Sequence, residues 1–91
     1  MLSTEYLVER MGALVKKARL QRNESQEIFA ARLGVHRHTL DRMECGDAGI
    51  RIGAWVEVLK VLEKEQEFLE LLSEGESEDP TRERAWRPGP R

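Results

Sequence analysis

Ser25–Gly46, SQEIFAARLGVHRHTLDRMECG, holds two short apolar patterns at helical spacing that meet at a glycine. Phe29, Ala30 and Leu33 form one stripe, Leu40 and Met43 the other, and Gly34 and Val35 sit between them. The spacing predicts a helix, a tight turn and a second helix. Ser25 is placed to cap the first helix by accepting a backbone N–H, Glu27 puts negative charge in its first turn, and Gly34 supplies the left-handed residue that ends it. Two helices joined by so short a turn cross steeply. Ala30, nearest the crossing, therefore has to be small, while Phe29, Leu33, Val35, Leu40 and Met43 fill the wedge. Arg37, His38, Asp41 and Arg42 then point away from it.

Upstream, Ser3 and Thr4 offer N-caps, and Leu7, Met11, Leu14, Val15 and Ala18 recur at three- and four-residue steps, which predicts a first helix with that stripe on the core. Its opposite face carries Arg10, Lys16, Lys17 and Arg22, a solvated face in the plain reading and a source of phosphate contacts in the sharper one; Lys16 and Lys17 take the plain reading. Downstream, Gly46-Asp47-Ala48-Gly49 is a loop by composition, anchored to the core by Ile50 and Ile52. A fourth helix is expected from near Gly53 to about Glu63, with Trp55, Val56, Leu59 and Leu62 on one broad stripe and Val58 and Val61 beside it. After a break at Lys64 and Glu65, Phe68, Leu69, Leu71 and Leu72 make a short apolar stripe opposite Glu67, Glu70 and Glu74, a fifth helix. That stripe either closes the monomer's core or pairs with a second copy.

The fold class expected is all-α, a compact five-helix domain over residues 1–73. Residues 74–91 follow as a charged Pro/Gly-rich tail with too few apolar side chains to form a core. Its Arg82, Arg84, Trp86, Arg87 and Arg91 read either as a solubilising end or as a segment that folds onto a partner. Ninety-one residues suffice for one small domain. A single cysteine, Cys45, rules out an internal disulfide, and no apolar run approaches the roughly 20 residues that span a bilayer, so a cytoplasmic protein without membrane contact is expected. The net charge of -2 hides an uneven distribution: residues 1–23 carry +3 and residues 63–79 carry -7, which leaves the early helices free to present a positive face.

Enzyme chemistry has little to build on. His36, His38, Asp41 and Cys45 are close in sequence, but on a helix Cys45 turns away from the histidines and lies too far along, so neither a metal site nor a Cys-His pair is expected. The chain has no CxxC pair, HExxH, phosphate-cradling glycine loop or nucleophile elbow. No cofactor, metal or enzymatic activity is expected, and Cys45 reads as a small, partly buried residue.

The spaced residues Ser25-Gln26, Phe29-Ala30, Leu33-Gly34-Val35, Arg42-Met43-Glu44 and Gly46 resemble the helix-turn-helix of the lambda repressor and Cro family, the XRE-like regulators. The resemblance covers about Leu14 to Leu62 and departs at two positions. His36 stands where the family has a serine N-cap, and Glu24 where it has an apolar residue, which argues for a less well packed turn before Ser25. The resemblance implies a lambda-repressor-like five-helix fold and a sequence-specific regulator, a dimeric repressor reading an inverted repeat in double-stranded DNA through the major groove. It assigns base contacts to Arg37, His38, Asp41 and Arg42, with Asp41 either accepting from cytosine or orienting Arg37. Phosphate contacts fall to Gln26, His36, Thr39, Arg51 and Gly53, the last two also favoured by the unbonded N–H groups at the start of the fourth helix. It further implies an ion pair between Arg19 and Glu44, tying the first helix to the end of the third; two independent surface charges are the plain alternative. Dimerisation is expected through Phe68, Leu69, Leu71 and Leu72.

A second likeness gives the alternative function. Gly46-Asp47, Gly49, Gly53 and Trp55, followed by a valine- and leucine-rich helix, are similar to the small antitoxins encoded beside HipA-type kinases. That implies autorepression together with capture of a toxin, here through the C-terminal tail.

Overall fold

The computed structural model describes residues 1–73, a compact all-α domain of five helices: α1 Thr4–Gln21, α2 Gln26–Leu33, α3 Arg37–Glu44, α4 Ile52–Val61 and α5 Glu65–Leu72. Expectations for Glu74 and for the 74–91 tail, its partner-binding role included, lie outside the described residues. Among the described residues no helix is long and apolar enough to cross a membrane.

Local chemistry sets the helix ends. Ser3 Oγ accepts from the Tyr6 N–H at 3.1 Å and Ser25 Oγ from the Ile28 N–H at 3.1 Å, each satisfying one donor that the helix itself cannot. Gly34 ends α2 at φ 76°, and the Val35 N–H turns back to the Ala30 carbonyl at 3.1 Å. His36 precedes α3 without a side-chain cap.

The core forms at the α2–α3 wedge. Phe29, Leu40 and Met43 are fully buried, and Ala30, Leu33, Val15, Ala54 and Val58 close around them, with Val35, Ile50, Trp55, Val61 and Leu62 at the margin. α3 packs on both α1 and α2, α4 packs on α2, and α5 packs on α4.

Of the stripe that apolar spacing predicts for α1, only Val15, buried, and Ala18, half-buried, turn to the core. Leu7, Met11 and Leu14 are 44, 41 and 54 % exposed, whereas Gly12, Val15 and Arg19 are buried. The reason is the closeness of α1 to the end of α3. A Cβ at position 12 would stand 2.3 Å from the Met43 carbonyl oxygen and 3.0 Å from that of Glu44, so only glycine fits there. Gly46 (φ 84°) makes a second backbone contact of this kind, its missing Cβ facing Glu9 Cα at 3.0 Å. Leucine and methionine cannot occupy so narrow a seam, and they take the flank.

Three smaller expectations are also corrected. Ile52 opens α4 and is 68 % exposed, so Ile50 alone anchors the loop. The buried line of α4 runs through Ala54 and Val58, with Leu59 and Val56 only half-buried. Cys45 follows the last turn of α3 and is exposed, not partly buried. Polar contacts cross the turn before α2. Glu24 is half-buried and holds Arg32 at 2.7 Å, and its carbonyl accepts from Arg19 Nη1 at 2.9 Å.

The seam makes a direct prediction. Gly12→Ala removes a helix-weakening glycine, worth about 1 kcal/mol elsewhere, yet forces α1 off α3, a strain of roughly 1–3 kcal/mol or more. The expected outcome in urea unfolding is a net loss of stability. Gly53→Ala, whose Cβ would meet nothing within 4 Å, should leave stability unchanged or raise it.

Candidate nucleic-acid interface

α3 begins at the wedge with Leu40 and Met43 inward, and the 100° step per residue then distributes the remaining side chains. His38 lies at the middle of the exposed face. Arg37 and Asp41 flank it toward the start of α2, and Arg42 flanks it on the far side; Asp41 and Thr39 are half-buried and His36 is exposed.

The flank toward α2 is a linked set of hydrogen bonds that starts in the interior. Arg19 donates through Nε to Glu44 Oε2 at 2.8 Å and through Nη2 to Glu44 Oε1 at 3.1 Å, a two-point pairing that matches the planar guanidinium to the carboxylate. Its Nη1 donates to the Glu24 carbonyl. The side chains of this pair are 9 and 4 % exposed, and the Glu44 hydrogen bond raises the arginine pKa above its ordinary value. Gln26 Nε2 donates to Glu44 Oε1 at 3.1 Å and to Asp41 Oδ1 at 3.2 Å, and Gln26 Oε1 accepts from Arg37 Nη1 at 2.8 Å.

These bonds give Gln26 and Asp41 partners within the protein. Gln26 sits at the first residue of α2 with its amide engaged inside the protein, and it holds Arg37. Asp41 does not touch Arg37 directly; it fixes the amide that does. Spacing does not reveal the Gln26 amide as a link; the signal the sequence holds is its position in the first turn of α2.

Arg42 is held differently. Its Nε donates to Asp47 Oδ2 at 2.7 Å while Asp47 Oδ1 accepts from the Gly49 N–H at 2.7 Å, so the loop after α3 holds the side chain, and neither terminal nitrogen of the guanidinium has a hydrogen-bond partner among the described residues. The Gly49 N–H and, secondarily, Arg42 hold the Asp47 carboxyl below the usual range. Arg51 and Gly53, at the start of α4, line a cleft with Gly34 and Arg32, and Glu57 lies in the same cleft. Arg22 lies over the Phe29 ring, 6.0 Å from its centroid, turned to the core edge. Phe68 is half-buried on α5, and Leu69, Leu71 and Leu72 are exposed. Among the described residues no three His, Cys, Asp or Glu side chains converge on a point where a metal could sit.

Two measurements follow. Removing one partner of Arg19–Glu44 strands a charge or its hydrogen-bond partners in a shielded site, so Arg19→Ala or Glu44→Ala should each cost about 3–5 kcal/mol in urea unfolding, and the pair Arg19→Met with Glu44→Leu should cost less than either. Arg32 holds the Glu24 carboxyl below the ordinary glutamate range, so the unfolded chain takes up that proton first. The contact contributes fully above the unfolded pKa of about 4.3 and is lost as pH falls through the lower, folded value. Melting temperature should therefore drop on acidification below about pH 4.5, less steeply in Glu24→Gln. No profile of a known protein family, no characterised protein and no solved structure matches the chain, so the reading of this surface rests on its own residues and their geometry.

Proposed function

We propose that α2, the Gly34 turn and α3 act as a helix-turn-helix of the lambda-repressor type, and that the chain is a sequence-specific regulator of transcription that binds double-stranded DNA as a two-fold pair. The observation that carries this reading is the state of Arg37. An arginine at the first turn of an exposed helix, held at one terminal nitrogen by the Gln26 carboxamide, keeps its other nitrogens in a fixed direction. That is what two-point reading of the guanine O6 and N7 edge requires. The exposed His38 beside it, and the open end of Arg42, complete a face that reads bases with α3 in the major groove.

Arg51, the backbone N–H groups at the start of α4 near Gly53, and Thr39 and His36 at the edge of α3 serve as phosphate contacts on either side of the groove. Gln26 contributes its backbone N–H at the start of α2, its side chain being the clamp on Arg37. One short recognition helix touches few base pairs, so affinity at a promoter comes from two copies with α3 helices about 34 Å apart, reading an inverted repeat. Occupation of the promoter represses transcription by exclusion.

Selection of bound sites from a random duplex pool tests the reading. An enriched inverted repeat is expected. Arg37→Ala should lose roughly 1–3 kcal/mol and relax preference at one position of each half-site. Gln26→Ala should relax the same position, because it frees the arginine. Arg51→Ala should weaken all duplexes alike and flatten the salt dependence by about one counterion. A pool with no enriched sequence, or variants that select the wild-type sites unchanged, would overturn the proposal.

A further inference from the structure

Asp47 lies beyond the end of α3, yet it meets Arg42 at two points. Its backbone N–H donates to the Arg42 carbonyl at 3.0 Å, and that of Gly46, at φ 84°, to the Met43 carbonyl at 3.1 Å. This is the pair of bonds that closes a helix through a left-handed glycine, so the end of α3 itself sets where Asp47 stands. The side chain then returns to the same arginine. Oδ2 accepts from Arg42 Nε at 2.7 Å, and Oδ1 accepts from the Gly49 N–H at 2.7 Å. A Cβ at position 49 would stand 3.2 Å from Oδ1, and its absence leaves the carboxylate room for that bond.

Ion pairs this exposed contribute little to folding: the Arg42 and Asp47 side chains are 44 and 36 % accessible. The effect falls on the rotamers of Arg42. With Nε engaged, the arginine has Nη1 and Nη2 left to bond elsewhere, and these two nitrogens form the end of the fork that meets O6 and N7 of one guanine. Arg37, on the other flank of α3, is held by Gln26, and the two holds share no residue.

We infer that Asp47 is a positioning residue for base reading, aiming the open end of Arg42 at one guanine, so that each half-site is read at two positions set independently. Gln26 sets one and the loop after α3 sets the other. This assignment deepens the proposed function and rests on it. Asp47→Asn separates the hold from the loop. The asparagine Oδ1 still accepts from Gly49, but Nδ2 turns a donor toward the Arg42 Nε–H, so the loop keeps its bond and the arginine is released. The urea midpoint should stay unchanged, because the pair adds little to stability.

The test has one arm with DNA and one without, both on the full chain. In site selection, Asp47→Asn should relax the position that Arg42→Ala relaxes, lowering discrimination there about two- to tenfold, and leave sharp the position lost in Arg37→Ala. Added to Arg42→Ala, it should change nothing further. In the free chain, NMR relaxation should show the Arg42 Nε–H more ordered than that of Arg10, which is exposed and in no ion pair among the described residues. Asp47→Asn should bring the two level. An Arg42 Nε–H as mobile as that of Arg10 would overturn the inference and leave the proposed function standing. The same holds if Arg42→Ala weakens all duplexes alike, the result of a phosphate contact, or if Asp47→Asn selects the wild-type sites while Arg42→Ala does not. Tighter binding by Asp47→Asn with unchanged preference would also overturn it, since the carboxylate would then sequester the arginine. A wild-type pool with no enriched sequence would remove the proposed function and this inference with it.

Discussion

All three nitrogens of the Arg19 guanidinium are bonded inside the protein, two to the carboxylate of Glu44 and one to the carbonyl of Glu24. Through that one group the end of α1, the turn before α2 and the end of α3 are held in a single relation. The planar fork matters as much as the charge, since a lysine ammonium could not face a carboxylate at two points and a carbonyl at a third in the same plane. Such a pair adds little net stability over a well-packed apolar replacement. What it supplies is direction: it sets the angle at which α3 leaves the core.

The same carboxylate reaches the surface. Glu44 Oε1 accepts from both Arg19 and Gln26, and the amide of Gln26 continues to Asp41 and Arg37. An exposed arginine would ordinarily sample many rotamers, and fixing one costs side-chain entropy at the moment of binding. Here part of that ordering is present in the free chain. Three carboxylates near this surface are paired with arginines of the same chain: Glu44 with Arg19, Asp47 with Arg42 and Glu24 with Arg32.

The wedge of α2 and α3 was legible in the sequence because each of its devices is local. Ser25 caps, Gly34 turns left-handed and Ala30 is small, and each works through neighbours a few residues away. The face of α1 was only partly legible, for the opposite reason. Apolar periodicity gives weight to Leu7, Met11 and Leu14 as well as to Val15, but the approach to α3 is made by Gly12 and Arg19, residues that a hydrophobic count ranks low or ignores. Only the backbone of α3 at Met43, 31 residues away in sequence, determines that position 12 must lack a Cβ. At the candidate site the residue types on α3 could be read from spacing, while the bonds of Gln26 and the capture of Arg42 by Asp47 depend on side-chain directions that spacing does not contain.

The bare contact of Gly12 with the Met43 carbonyl also limits how this sequence can drift over evolutionary time. Leucines on exposed flanks can be exchanged for other residues while the domain still folds. A chain that keeps this α1–α3 approach has to retain a glycine two helical turns before its arginine, and an acid followed two residues later by a second glycine, as at Glu44 and Gly46. Distant descendants of the same ancestor would therefore share a sparse signature of small and charged residues long after the apolar positions had lost any visible likeness.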